Sequence, residues 1–73
     1  MNMVIDFTNT IIGKAVDGWW IFSGIMAERV SKITGLKLVK SFNGVVKAGF
    51  AEKDECLYTA KLVKAGYKIC ITQ

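Results

Sequence analysis

EKDECLYTAKLVKAGYKICIT, residues 52–72, changes period partway along, and that change decides the fold class. Glu52, Asp54 and Glu55 crowd its start while Lys61 and Lys64 stand near its end. This arrangement complements the helix dipole and predicts a helix from about Glu52 to Ala65. At 100° per residue, Cys56, Tyr58, Thr59, Ala60, Leu62, Val63 and Ala65 cover a broad apolar face, with Lys53, Lys61, Lys64 and a solitary Leu57 on the other side. Gly66 stops the helix, and Tyr67–Thr72, rich in β-branched and aromatic residues, reads as a strand returning to a sheet.

Working outward, Asn43-Gly44 separates Leu36–Phe42 from Val45–Phe50, and Asn-Gly between two β-favouring runs is a strong hairpin signal. A two-residue turn there would set Phe42 opposite Val45, Lys40 opposite Lys47 and Leu38 opposite Gly49, all on one face. Opposed lysines repel unless an anion or solvent sits between them. Further upstream, Ser23 is the expected N-cap of a helix running to about Thr34, with Gly35 as its left-handed stop. Met26, Val30 and Ile33 form its buried stripe, and Glu28 and Lys32 make an i,i+4 pair outside. Asp17-Gly18 marks a second hairpin between Thr10–Val16 and Trp19–Phe22, although Ile11, Ile12, Ala15 and Val16 also fit a helical stripe. Met3–Phe7 reads as a short strand, with Thr8-Asn9 as the break. The sum is one domain over residues 1–73, of α/β (α+β) class, with a small mixed sheet and two helices packed on it.

Composition bounds what such a domain does. With 73 residues, 52% hydrophobic and 22% charged, the chain has ample apolar material for one core. A domain this small buries only about 60% of its unfolded surface, so a partner or a homo-oligomer could supply further stability. Ten basic against six acidic residues give a net charge of +4, which favours anionic partners such as nucleic acid. There is no histidine, and Cys56 and Cys70 lie in apolar surroundings. Both are expected to be free, buried thiols, consistent with a reducing cytoplasm, and metal sites of Cys/His type lack ligands. Asp6 replaces any basic lead-in near the N-terminus, and no apolar run approaches about 18 residues. A soluble, cytoplasmic protein without a membrane span is the expectation.

The catalytic repertoire is thin. Histidine-based triads are impossible, and no phosphate-binding glycine fingerprint occurs among the seven glycines. Glu52, Asp54 and Glu55 are accounted for by the helix N-terminus they crowd. No enzymatic activity, cofactor or metal is therefore expected. Trp19, Trp20 and Phe22 form the richest aromatic cluster. In a strand, Trp19 and Ile21 share one face and Trp20 and Phe22 the other, so at least one pair belongs to the core, and a remaining ring could stack on a base or anchor a protein interface. Lys37, Lys40, Lys47, Lys61, Lys64 and Lys68 could gather into a phosphate-binding patch, against the commoner reading of scattered solvated lysines.

Several of these segments resemble the N-terminal mismatch-recognition domain of the MutS family of DNA mismatch-repair proteins. Ala27–Leu38 looks like a helix of that domain, ended by a glycine before a Leu-x-Leu strand, and Ala48-Gly49-Phe50 looks like its Ala-Gly-Phe or Ala-Gly-Val turn, with Ala51 where the family has proline. Tyr58–Ile71 is the longest match, and Lys61–Ile69 is similar to the family's helix, glycine and closing strand. The family's DNA-contacting Gly-Asp-Phe-Tyr-Glu motif falls near Asp17-Gly18-Trp19-Trp20-Ile21. The resemblance implies that Trp19 takes the place of the phenylalanine that wedges beside a mismatched base. Ile21 replaces the glutamate that reads that base, so the polar readout is not implied.

The expectation is a small non-catalytic nucleic-acid-binding module with a MutS-domain-I-like fold, associated with DNA without intact mismatch readout. Its expected contacts are Trp19, Trp20, Lys37, Lys40, Lys47, Lys61 and Lys64. The competing expectation is a protein-interaction module, such as a small phage- or plasmid-type regulator or inhibitor that docks on a larger protein through the aromatic cluster and Leu57.

Overall fold

The computed structural model describes residues 9–73. The short strand expected over Met3–Phe7 lies outside the described residues. In chain order the elements are β1 (Thr10–Val16), β2 (Trp19–Ser23), α1 (Ile25–Thr34), β3 (Val39–Lys40), β4 (Val46–Ala51), a single 3-10 turn (Glu52–Asp54), α2 (Glu55–Lys64) and β5 (Lys68–Thr72). The strands form one five-stranded sheet in the order β3-β4-β2-β1-β5. Neighbours pair antiparallel except β1 and β5, which run parallel. The expected mixed sheet with two helices packed on it is therefore the architecture.

The Asp17-Gly18 pair closes the β1–β2 hairpin as a two-residue turn. Both residues have positive φ, 48° and 81°, the backbone that matches the twist of the flanking strands and that Asp-Gly adopts readily. β2 then occupies the centre of the sheet. Phe22 and Trp20 point from it to one side, where Phe50 of β4 lies 5.8 Å and 5.6 Å from their respective ring centroids and Tyr58 of α2 stacks on Phe50 at 4.8 Å. Among the described residues, Ile11, Phe22, Ala27, Val30, Ala48, Phe50 and Leu62 are the buried apolar side chains, drawn from β1, β2, α1, β4 and α2. Met26, Ile33, Leu36, Tyr67, Ile69 and Ile71 pack around them. Every one of these residues from a strand lies on the same face, so both helices cover one side of the sheet.

Four expectations need correction. The β3–β4 loop is longer than a two-residue turn: the Gly44 N–H donates to Ser41 O and the Ser41 N–H to Val45 O, both at 2.9 Å, with Gly44 at φ 88°. This is a turn over Ser41–Gly44 followed by a glycine bulge, an equally natural home for Asn-Gly. The pairing slips by one residue as a result, to Val39 opposite Lys47 and Lys40 opposite Val46. Since side chains alternate, that slip puts Lys40 and Lys47 on opposite faces, and the proposed lysine-on-lysine opposition disappears. The upstream helix starts after Gly24, not Ser23, and has no side-chain cap. The second helix begins as a 3-10 turn, and its apolar face is narrower than expected: Leu62 is buried and Tyr58 and Thr59 are half-buried, while Cys56, Ala60, Val63 and Ala65 are exposed. Finally, both cysteines are free as expected but exposed. Cys70 falls on the strand parity opposite Ile69 and Ile71, which pack on the core.

Candidate nucleic-acid interface

The second face of the sheet has no helix on it among the described residues. The register defines it row by row. Ala51, Trp19 and Val16 form one row across β4, β2 and β1; Gly49, Ile21, Lys14 and Thr72 form the next across β4, β2, β1 and β5; and Val39, Lys47 and Ser23 form a third across β3, β4 and β2. Ile12 pairs with Cys70, and Thr10 with Lys68, toward the far edge.

Trp19 stands beside the two smallest side chains of this face, Gly49 and Ala51. Its indole keeps 51% of its surface in solvent, whereas Trp20, one position on, is half-buried against Phe50. Alternation along β2 thus splits the aromatic cluster into a core pair, Trp20 and Phe22, and a surface pair, Trp19 and Ile21. Gly49 has no spare room of its own: a Cβ there would lie 2.8 Å from the Trp20 carbonyl oxygen of the neighbouring strand. The absent side chain also keeps the floor beside Trp19 low. The result is an open recess of about 260 Å³, lined by Trp19, Ile21, Lys37, Val39, Lys47 and backbone at Ala48 and Gly49.

Charge is distributed unevenly around this face. Lys14, Lys47 and Lys68 occupy its strand positions, and Lys37 borders the recess. None of its strand positions carries a carboxylate. Among the described residues the acidic side chains stand elsewhere: Asp17 in the β1–β2 turn, Glu28 on α1, Glu52 and Asp54 in the 3-10 turn and Glu55 on α2. Among the described residues, the charged side chains at the middle of the open face are all cationic.

The structure gathers Trp19, Lys37 and Lys47 around one recess. It separates the other four residues anticipated from the sequence. Trp20 belongs to the helix-covered side. Lys40 shares that side at the edge strand β3, because of the slipped register. Lys61 and Lys64 ride on α2, in the opposite layer, where the Lys61 ammonium sits 5.8 Å from the Tyr58 ring centroid. The six lysines considered from the sequence therefore do not share one patch: Lys37, Lys47 and Lys68 belong to the open face, and Lys40, Lys61 and Lys64 do not. Ile21 shares the face of Trp19 as strand alternation predicts, whereas Lys14 beside it was not anticipated. Lys14 required the β1–β2 register, which local sequence does not set. No helix among the described residues is long and apolar enough to cross a membrane. No protein-family model matches the chain, and no curated protein matches it either.

Proposed function

We propose that this chain is a non-catalytic DNA-binding module that uses the open face of its sheet. The observation that carries the reading is the half-exposed Trp19 in a recess walled by Lys37 and Lys47, on a face whose strand positions hold lysines and no carboxylate. An indole offers its flat surface to any base, and ammonium groups nearby neutralise phosphates without regard to sequence. Such a surface gives affinity with little base discrimination. This agrees with the absence of a glutamate at Ile21, where the MutS-like motif has its polar reader. The resemblance contributes the ligand class, DNA, and the sheet face contributes the contact surface.

A protein partner docking on the same face through Trp19 and Ile21 is the competing reading, and ionic strength separates the two. Binding through phosphates releases counterions, so the logarithm of the association constant should fall with the logarithm of salt, with a slope of about −0.7 to −0.9 per phosphate contacted. With two to four lysines engaged, a slope between about −1.5 and −3.5 is expected for a labelled oligonucleotide titrated at several salt concentrations. Salt-independent binding, or none, would remove the DNA reading.

A further inference from the structure

The geometry points to an unpaired strand of DNA, not a duplex, as the ligand of this face, with a base laid on Trp19 and the adjoining phosphates on Lys37 and Lys47. The inference rests on the DNA-binding reading above and narrows it.

The first argument is one of fit. Trp19 belongs to β2, the middle strand of five. Strands are spaced by about 4.8 Å, and the row that holds Trp19 crosses three of them, β4, β2 and β1, so the sheet there is roughly 10 Å between outer strand axes and broader again by the strands' own width. The major groove of B-DNA is about 12 Å wide and takes a helix or a two-stranded ribbon; the minor groove is about 6 Å wide. A three-stranded row backed by helices is broader than that ribbon and enters neither. Bases inside a duplex show only their edges in the grooves, whereas the indole needs the flat of a base, which an unpaired nucleotide presents freely.

The second argument concerns the one route by which Trp19 could reach into a duplex, the tip of the β1–β2 hairpin. That tip does not stand clear of the molecule: Gly18 O accepts the Glu52 N–H at 2.8 Å, which ties the turn to the end of β4. Asp17, Glu52 and Asp54 all lie at this end of the sheet. A phosphate backbone flanking the turn would meet these three carboxylates against one ammonium, that of Lys53, which lines a second recess beside Trp19. The lysines lie the other way, Lys47 two residues before Gly49 on β4 and Lys37 ahead of β3. A strand whose base covers Trp19 is thus repelled from the turn and drawn across the recess toward Lys47 and Lys37. This polarity favours one direction of travel over the sheet and gives no footing for a wedge inserted from the hairpin tip.

The test uses the full chain with a fluorescein-labelled twelve-nucleotide oligothymidine and a twelve-base-pair mixed-sequence duplex, each titrated at low and moderate salt, with tryptophan emission followed in parallel. The oligothymidine should bind at least tenfold more tightly than the duplex and quench tryptophan emission, because the base lies against the indole. Trp19→Phe should retain binding and lose most of the quenching. Trp19→Leu, which keeps an apolar side chain but no π surface, should weaken binding about five- to hundredfold. Lys37→Gln with Lys47→Gln should reduce the salt slope for the single strand by about 1.4. Equal or tighter duplex binding, or a Trp19→Leu variant that binds like the parent, would overturn the single-strand inference and leave the DNA-binding reading standing. Salt-independent association or none with either probe would overturn both, as would a chain that self-associates with Trp19 protected.

Discussion

Gly13 of β1 faces the helices, and the Phe22 ring fills the space its missing side chain leaves. A Cβ at this position would come within 2.5 Å of Phe22 Cε1, 2.7 Å of its Cδ1 and 3.1 Å of Ile71 Cδ1. Phe22 is fully buried between both helices' packing and the sheet, so its ring has nowhere to retreat without disturbing Phe50. Gly13→Ala is accordingly expected to cost about 1–3 kcal/mol through overpacking. At roughly 4–8 °C per kcal/mol for a domain of this size, the thermal midpoint should fall by at least about 4 °C, and an unchanged midpoint would show that the ring has other room. The two thiols make the contrasting case. Cys56 and Cys70 are exposed and unbonded, so both should react with a thiol reagent in the folded chain, at a rate close to that of the denatured chain. The sequence context misleads here because hydrophobic neighbours in a strand point alternately to both faces: Ile69 and Ile71 reach the core, and Cys70 between them faces away.

Elements were legible in the sequence wherever a local signal set them. Asp17-Gly18 gives a turn with both φ angles positive, Gly35 ends α1 at φ 81°, and Gly66 separates α2 from β5 at φ 95°, each at its expected place. The β3–β4 hairpin was legible as a hairpin but not in register, because Asn43-Gly44 serves two loop lengths and the choice between them moves every later pair by one residue. Gly44 carries that choice. It sits at φ 88°, and a Cβ would meet nothing within 4 Å, so any cost of substitution is one of backbone conformation alone. Gly44→Ala should destabilise by about 1 kcal/mol, and Gly44→Asn by clearly less, since asparagine tolerates the left-handed region. Equal losses for both in chemical denaturation would show that the left-handed backbone is not what Gly44 contributes. The candidate site followed the same division. Trp19 was readable from strand alternation, whereas the separation of Lys61 and Lys64 from Lys47 was not. It depends on which face of the sheet α2 covers, and β5 closes that arrangement by pairing parallel with β1, nearly the whole described chain away.

At the scale of the molecule, a one-sided sheet divides the work between its faces. Seven buried apolar side chains among the described residues hold the helices to one face, and the other contributes little to that core while carrying Trp19, Ile21, Lys14, Lys47 and Lys68. Stability and binding should then be separable by mutation, with a measurable link when ligand is present. A ligand that binds only the folded chain stabilises it by about 2.7 kcal/mol at a free concentration one hundred times its dissociation constant. In a domain of 60–100 residues this corresponds to a rise in the thermal midpoint of roughly 10–20 °C. We expect that rise for the parent chain with oligothymidine at low salt and a smaller one for Trp19→Leu under the same conditions, since a five- to hundredfold loss of affinity leaves only about 1.8 to 0.4 kcal/mol of ligand stabilisation. The unliganded variant should melt within a few degrees of the parent, because the half-exposed indole lies outside the aromatic cluster of Trp20, Phe22, Phe50 and Tyr58. If Trp19→Leu instead lowered the unliganded midpoint as far as Gly13→Ala does, the indole would be part of what holds the sheet together, and the open face could not be assigned to binding.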